Sequence, residues 1–426
     1  MKGAILGVLP YITFLLFFIY LFRAKNASRA YVLFCLYFFP LIYSPDHTYN
    51  VFQAITYFYF FYSFRSNKPI FSKYSHPLVW YVIICLFVGA LLSEFMAHAM
   101  VGLIGFLPII IFIHVLLFEV LEDDSFMFKV IDILKLNLLI AIIFVFLQVG
   151  LGLNFALFVT DNPNITFEAI RYPGIFQDPQ KFAQFLSALS FITLIDSPTS
   201  PKFTKYKYAL LVFAVLSLFL TGGRAALLGL AAGVVFIAFF SNNKVRFATI
   251  AGAGVVVALA FVFSSYFAIF NRGESLKDSY DTRNEIWQVA IKIFTQHPLF
   301  GIGISNYSSY VEVHAKDQYW LVGGEKVYFD HPESGYLKYL AEFGLLGTIG
   351  VLMFIFSAIY RGLKTFLKKV KDFYIVFLIA SLITWMLGFY SVYSFSDTRI
   401  MILISTIACV LIAYSKRYDK GFILID

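Results

Sequence analysis

A few charged side chains in this sequence have the types that anion binding and proton transfer require. Arg171, Arg224 and Arg283 each carry a permanent charge on a planar guanidinium, which donates paired hydrogen bonds to phosphate or carboxylate oxygens. Further along, His331 has a side chain whose ordinary pKa of about 6.5 suits proton transfer. Glu333, two residues later, is a second candidate base. These residues predict a site that binds an anion and accepts a proton.

Each candidate also has an ordinary structural interpretation. The arginines could form ion pairs with nearby carboxylates, such as Glu168 or Glu285. Asp330 and Glu333 could be a capping pair in the first turn of a helix, where the helix dipole stabilises carboxylates. The sequence leaves these alternatives open.

The elements that must position these side chains are membrane helices. The 426 residues are 60% hydrophobic and 14% charged, whereas soluble domains are about 45–50% apolar and about 25% charged. Because a transmembrane helix needs about 20 apolar residues, the apolar stretches predict about twelve or thirteen spans. The predicted fold class is an all-α, polytopic inner-membrane helical bundle. A soluble enzyme with a membrane anchor is excluded.

The basic residues orient the bundle. Six short segments hold 19 of the 33 Lys and Arg residues, namely 23–29, 65–76, 196–207, 241–246, 361–372 and the C-terminal tail. Cytoplasmic loops collect such residues, so these segments are predicted to face the cytoplasm, although the intervening loop 122–130 lacks a positive bias. The net charge of +8 therefore does not indicate a nucleic-acid partner.

The remaining loops are predicted to face the periplasm, and the largest of them is segment 271–344. It holds seven Lys or Arg, ten Asp or Glu and three of the seven histidines, which predicts a partly helical subdomain. Residues 1–270 would form an N-terminal transmembrane bundle, and 345–426 the C-terminal helices and cytoplasmic tail. Thr282 to Glu285 resembles a capping box that starts one helix, His297-Pro298 ends it, and 330–334 opens a second.

Several short motifs occur in a defined order between residues 165 and 350. They are Arg171-Tyr172-Pro173-Gly174 with Asp178-Pro179-Gln180, Thr221-Gly222-Gly223-Arg224, Arg283 with Trp287, His297-Pro298-Leu299-Phe300-Gly301-Ile302-Gly303, Asn306, His331-Pro332-Glu333-Ser334-Gly335-Tyr336-Leu337 and Glu342-Phe343-Gly344-Leu345-Leu346-Gly347. On a bundle of this size, the set resembles the O-antigen ligase and polymerase superfamily of bacterial inner-membrane proteins.

This resemblance implies transfer of a glycan from an undecaprenyl-diphosphate donor to a sugar hydroxyl at the outer face of the membrane. Arg171, Arg224 and Arg283 would hold the diphosphate, Arg283 would also be catalytic, and Glu333 or His331 would deprotonate the acceptor. No external Asp-x-Asp pair is present, so neither a metal nor another cofactor is expected, and arginine supplies the positive charge instead.

Glu333 stands where the ligases of this superfamily typically carry Ser or Asn after the histidine. This difference favours a repeat-unit polymerase of the Wzy type, which adds the growing glycan to the non-reducing end of the next lipid-linked repeat unit. An O-antigen ligase with lipid A–core as acceptor is the enzyme alternative, and a lipid-linked oligosaccharide flippase is the transport alternative. The expected partners are lipid-linked repeat units and the bilayer, with a chain-length regulator and a flippase left open.

Overall fold

A computed structural model describes residues 2–41, 50–65, 77–153, 155, 170–262, 276–322, 325–368 and 372–419. These residues form α-helices, two short 3-10 helices (Phe191–Leu194 and Ser394–Ser396) and a two-stranded antiparallel hairpin. In chain order they are α1 (Lys2–Arg23), α2 (Ala27–Tyr37), α3 (Val51–Arg65), α4 (Pro77–Leu91), α5 (Met96–Glu122), α6 (Asp124–Leu151), α7 (Pro179–Ser190), α8 (Pro201–Lys205), α9 (Lys207–Thr221), α10 (Arg224–Phe240), α11 (Asn243–Val262), α12 (Leu276–Gln296), α13 (Tyr307–His314), β1 (Tyr319–Val322), β2 (Glu325–Tyr328), α14 (Gly335–Lys368), α15 (Phe373–Phe389) and α16 (Thr398–Asp419).

The described helices have the lengths and composition of membrane spans. Four of them, α5, α6, α14 and α16, are long and apolar enough to cross a bilayer, and five shorter apolar helices accompany them. The predicted all-α polytopic bundle is therefore confirmed, with the small hairpin as an addition. The predicted number of twelve or thirteen spans stays a prediction.

Helix α16 forms the centre of the bundle. It packs against α5, α14 and α15, and side chains on all its faces are buried, including Ile400, Leu403, Ile407 and Leu411. A helix that is apolar on all sides is stable only inside a protein or a membrane. Helix α16 is therefore part of the buried core of the bundle.

The acidic residues of loop 122–130 find their countercharges on other segments. Asp123 accepts a hydrogen bond from Arg29 Nη1 at 2.7 Å, and Asp124 lies 2.9 Å from Arg417 Nε. Three segments that were predicted to share one side of the membrane thus meet at one end of the bundle. Arg29 and Arg417, which lie on other segments, thus provide the positive charge that this loop lacks.

Segment 276–343 forms a layer with its own small hydrophobic cluster. Ala290 and Ile293 of α12 pack with Tyr307 and Val311 of α13 and with Ala341 of α14. The helix ends at Gln296, as His297-Pro298 predicted. The division of the chain at 271 and 344 stays a prediction, and α14 runs across residue 344 with a kink at that glycine.

Two predicted helix starts in this layer are wrong. Helix α12 begins at Leu276, so Thr282 to Glu285 lie inside the helix and do not cap it; no glycine or proline separates these four residues from the preceding turns. The second helix begins at Gly335, not within 330–334. Glu333 has a φ of 57°, which lies outside the right-handed helical region.

Gly301 and Gly344 allow the motif segments 297–303 and 342–347 to pack closely, backbone against backbone. Ile302 N donates to Ala341 O, Gly303 N donates to Glu342 O, and Leu345 N donates to Pro298 O at 2.8 Å. A Cβ atom at Gly301 would lie 2.4 Å from the Glu342 carbonyl, and one at Gly344 would lie 2.4 Å from the Leu299 carbonyl. The two motif segments are therefore held together by backbone hydrogen bonds, and each contributes a glycine where the other approaches closely.

Gly344→Ala is expected to destabilise this junction. Gly344 has a φ of 62° and a ψ of −168°, a region open essentially to glycine alone, so strain of about 1–3 kcal/mol adds to the steric clash. The thermal midpoint of the detergent-solubilised protein should fall. Gly150→Ala is the matched control, because a Cβ at that helical glycine meets nothing within 4 Å; equal midpoints for the two variants would contradict the docking.

Candidate active site

The three predicted arginines line one cleft of about 400 Å³, which we call the arginine cleft. Arg171 precedes α7, Arg224 begins α10 and Arg283 lies on α12. They come from segments more than fifty residues apart, so the fold brings them together. The cleft is completed by Gln180, Ala183, Gln184, Gly222, Gly223, Ala225, Ala226, Leu228, Trp287, Leu387, Tyr390, Ser391 and Val392.

Arg171 is held by the turn that carries Arg224. It is 2% exposed, and its Nε donates to the Thr221 carbonyl at 2.9 Å. Gly222 ends α9 with a φ of 66°, as expected for the tight glycine turn, and Arg224 follows as the first residue of α10. A buried guanidinium and a half-buried one beside the same turn concentrate positive charge there.

Gln148 of α6 fixes the segment that follows Arg171. Its Nε2 donates to the Gly174 carbonyl at 3.0 Å, and its Oε1 accepts from the Gly174 N–H at 2.9 Å. Gly174 has a φ of 58°, and a Cβ there would lie 2.4 Å from the Phe182 ring. One buried amide thus pairs both backbone groups of a constrained glycine.

Gln148→Leu is expected to lower the stability of the protein. The change leaves the buried N–H and carbonyl of Gly174 without partners, at a cost of about 1–3 kcal/mol for each group. Thermal unfolding in detergent measures the effect. Gln180→Leu, at a half-buried residue of α7, is the matched control and should stay within about 0.5 kcal/mol of the wild type; a Gln148 variant equally close to the wild type would refute the assigned role.

Arg283 has no carboxylate partner in the described part of the chain. The predicted alternative pairing with Glu285 is not formed there, and the Glu285 side chain is exposed. The other proposed carboxylate, Glu168, lies outside the described residues. The guanidinium of Arg283 is half-buried at the wall of the cleft, where a bound anion could pair with it.

An aromatic pair borders the arginine cleft. The rings of Trp287 and Tyr390 meet edge to face with their centroids 5.5 Å apart. The tyrosine follows α15, so this wall joins α12 to the bundle. Aromatic rings of this kind can pack against the apolar face of a sugar.

His331 and Glu333, the other predicted site residues, lie in a second cleft of about 520 Å³, the carboxylate cleft. Its lining consists of Ile286, Ser308, Glu312, Lys326, Tyr328, Phe329, Asp330, His331 and Glu333. Ile286 lines this cleft and the next residue, Trp287, lines the arginine cleft. Helix α12 therefore lies between the two clefts, and the structure does not place all five predicted residues in one of them.

His331 is oriented by the carboxylates on both sides. Its Nδ1 lies 2.6 Å from Asp330 Oδ1, and its Nε2 lies 3.7 Å from Glu333 Oε1. Burial of the Asp330 carboxyl group works against its charge. The hydrogen bond with His331, the electrostatic attraction of that ring and the positive charge of Lys338 together outweigh the effect of burial and lower the pKa of Asp330.

An ionised Asp330 can only accept a hydrogen bond, so Nδ1 of His331 carries the proton and Nε2 faces Glu333. Glu333 itself is held with a φ of 57°. A non-glycine residue in the left-handed region costs about 1 kcal/mol or more, and such strain is concentrated at functional sites. The predicted position of Asp330 and Glu333 in the first turn of a helix is wrong, because α14 begins at Gly335.

Glu342 of the recognised motif has a structural position. It is 2% exposed, lies 3.1 Å from Lys338 Nζ and accepts a hydrogen bond from the Tyr307 N–H at 3.0 Å. Lys338 also donates to the Asp330 carbonyl at 3.0 Å. This buried pair connects α13 and α14 to the residue beside His331.

Arg399 was missed in the sequence although it supports the site. It is fully buried, forms a bidentate pair with Asp397 at 2.9 and 2.6 Å, and donates to the Ile175 carbonyl at 2.8 Å. Its guanidinium lies 4.1 Å from the centroid of the Phe176 ring. An arginine at the predicted external end of a span was the available signal, because it opposes the positive-inside bias.

Comparison with known proteins covers part of this chain. Residues 209–352 match a family model described as O-Antigen ligase; that stretch contains Arg224, Arg283, His331 and Glu333, whereas Arg171 precedes it. The chain is also 27% identical over 245 residues to the teichuronic acid biosynthesis protein TuaE of Bacillus subtilis (strain 168), with 53% of this chain covered. It spans about half of that relative, 49% of its length. Part of this chain is thus similar to an O-antigen ligase family model and to a protein of teichuronic acid biosynthesis, and both similarities agree with the resemblance noted in the sequence.

Proposed function

We propose that this chain is a polysaccharide polymerase of the Wzy type. It takes the growing glycan from undecaprenyl diphosphate and adds it to the non-reducing end of the next lipid-linked repeat unit. The observation that carries the proposal is the convergence of Arg171, Arg224 and Arg283, from three distant segments, on one cleft beside a second cleft with His331 and Glu333. The reaction would take place on the periplasmic face of a bacterial inner membrane.

The arginine cleft supplies what the departing lipid diphosphate needs. As the bond between the anomeric carbon and the diphosphate oxygen breaks, negative charge grows on that oxygen, and fixed guanidinium groups stabilise it. Arg171 and Arg224 are fixed by one turn, and Arg283 approaches from α12. Arginine remains charged when it is buried, so this transfer is proposed to proceed without a metal ion.

The carboxylate cleft supplies the proton acceptor. The acceptor hydroxyl oxygen attacks the anomeric carbon, and its proton passes to Glu333, directly or through Nε2 of His331. Asp330 holds His331 in the tautomer that leaves Nε2 free to accept. The proposal requires the anomeric carbon of the donor and the hydroxyl of the acceptor to meet beside α12, the helix that lines both clefts.

An O-antigen ligase is the second candidate, and the description of the matching family model favours it. The two enzymes share the donor and differ in the acceptor. The name of the relative, a teichuronic acid biosynthesis protein, supports a reaction that builds a polysaccharide and is compatible with a polymerase. A flippase is the third alternative, and the grouping of charged side chains in two external clefts argues against it.

The test is the state of the surface polysaccharide in cells that lack this gene. A polymerase predicts single repeat units, on the lipid carrier or on the final acceptor, and no ladder on a gel. A ligase predicts full-length polymer that stays on its lipid carrier. Loss of all externally exposed lipid-linked repeat units would indicate a flippase and overturn the proposal.

A further inference from the structure

Gln184 in the arginine cleft has a buried amide that no group in the described residues satisfies. The residue is 1% exposed, and neither Nε2 nor Oε1 has a hydrogen-bond partner in the described part of the chain. It lines the cleft beside Arg224 and Trp287. A buried polar group without a partner costs about 1–3 kcal/mol, and such groups are rare in native proteins. A ligand in the cleft would remove this cost.

The packing around Gln184 holds its side chain in place. The neighbouring Ala183 packs so tightly on the arginine-bearing turn that a Cβ at Gly223 would lie 2.4 Å from the Ala183 Cβ. On the other side, a Cβ at Gly388 would lie 3.2 Å from Gln184 Nε2, so this glycine makes room for the amide. The amide is therefore preorganised before any ligand binds.

Gln148 is a second buried glutamine with which Gln184 can be compared. Both are buried glutamines on helices that meet the 171–176 segment, yet both amide atoms of Gln148 are paired with Gly174. The amide of Gln148 therefore has its hydrogen-bond partners within the fold, whereas the amide of Gln184 at the cleft has none among the described residues.

The Gln184 amide is best paired by a ligand that accepts one hydrogen bond, from Nε2, and donates another, to Oε1. Phosphate oxygens at neutral pH accept hydrogen bonds, so a diphosphate would satisfy Nε2 and leave Oε1 unpaired. Neighbouring sugar hydroxyls, or a hydroxyl with an acetamido group, offer a donor and an acceptor together. The aromatic pair Trp287 and Tyr390 borders the same cleft and offers apolar surface for a sugar ring.

We infer that Gln184 binds the sugar directly attached to the donor diphosphate, donating through Nε2 and accepting through Oε1. The arginines bind the phosphates, and Gln184 reads the first sugar and positions its anomeric carbon. Gln184 is thus a positioning and specificity residue of the donor site. This inference rests on the proposed function.

Ligand binding to the full-length protein in detergent tests separately whether the arginine cleft binds a diphosphate and whether Gln184 binds the attached sugar. The probes are sugar-free farnesyl diphosphate and a panel of farnesyl diphosphates that carry one N-acetylglucosamine, N-acetylgalactosamine, glucose or galactose. In the wild type we expect at least one sugar-bearing probe to bind more tightly than farnesyl diphosphate. Gln184→Leu should abolish that gain, about tenfold for two hydrogen bonds, and leave farnesyl diphosphate binding unchanged.

The outcomes distinguish a failure of the inference about Gln184 from a failure of the proposed function on which it rests. If the wild type does not bind farnesyl diphosphate, the arginine cleft is not a diphosphate site and the proposed function fails. If farnesyl diphosphate binds but no sugar adds affinity, or the added affinity survives in Gln184→Leu, the inference about Gln184 is wrong and the proposed function stands.

Thermal unfolding without ligand tests whether the role is only structural. Gln184→Leu removes an unpaired buried amide from a protein without ligand, so its thermal midpoint should equal or exceed that of the wild type. Gln148→Leu should be clearly less stable. A similar loss of stability in both variants would show that the Gln184 amide serves the fold and would overturn the inference.

Discussion

Replacing Arg283 by alanine is expected to slow glycan transfer by about 100- to 1000-fold while the protein remains folded. The guanidinium is half-buried in the arginine cleft and has no carboxylate partner in the described part of the chain. Its removal should therefore change the stability of the protein little. It takes away one of the three positive charges that would stabilise the departing diphosphate. The rate of polymer formation from purified lipid-linked repeat units measures the loss.

Two further variants make this result interpretable. Arg283→Lys keeps the charge and loses the planar pair of donors, so it should lie between alanine and the wild type. Lys292→Ala removes an exposed cation from the same helix and should leave the rate within about twofold. If Arg283→Ala transferred glycan at the wild-type rate, Arg283 would not bind the leaving group.

Replacing Glu333 by glutamine is expected to lower the transfer rate by about 100-fold or more, because the acceptor hydroxyl loses its proton acceptor. Glutamine keeps the shape of the side chain and cannot take up the proton. The thermal midpoint should not change, since the side chain is 32% exposed. The same assay, run with the acceptor in excess, measures the effect.

Glu333→Gly separates catalysis from stability at this position. The φ of 57° strains a glutamate and suits a glycine, so the glycine variant should be at least as stable as the wild type and still inactive. Glu285→Gln, at an exposed residue of α12, is the control with normal activity. An active Glu333→Gln together with an inactive His331→Gln would make the histidine the base.

A higher stability of Glu333→Gly would show that this backbone conformation strains the glutamate. Left-handed backbone at a glutamate persists only when the surroundings enforce it. Here the neighbouring residues are fixed, because the Asp330 carbonyl accepts from Lys338 and the Ser334 carbonyl accepts from the Lys338 N–H. The strained residue lies between two anchored neighbours.

The acceptor decides between a polymerase and a ligase, and the carboxylate cleft is where the acceptor would bind. Its lining mixes Glu312, Glu333 and Asp330 with Lys326 and His331. Such a lining suits the hydroxyls of a sugar chain. The arginine cleft, in contrast, serves the donor that both enzymes share.

Much of this molecule followed from the sequence. The apolar composition required a helical membrane bundle, because backbone groups in a bilayer must pair within helices. Arg171, Arg224 and Arg283 could be singled out because arginines on the external side oppose the positive-inside bias. The motif glycines at 301 and 303 indicated a tight turn and a close backbone approach, and both have positive φ values.

The sequence could not show how these pieces meet. Helix starts at 276 and 335 were misjudged because local capping patterns compete with the continuation of a helix and with tertiary contacts. The separation of His331 and Glu333 from the arginines by α12 depends on how one amphipathic helix packs. No local pattern carries that information.

Residue types thus determined which groups could bind an anion or take up a proton, since charge, donor geometry and proton affinity belong to the side chains themselves. Only the tertiary structure decided which of them share a cleft and which are already satisfied. Gln148 and Gln184 are the same residue type in the sequence, and only their partners distinguish a structural amide from one that is open to a ligand. Hydrogen-bond satisfaction depends on neighbours that are distant along the chain, so it exists only once the chain has folded.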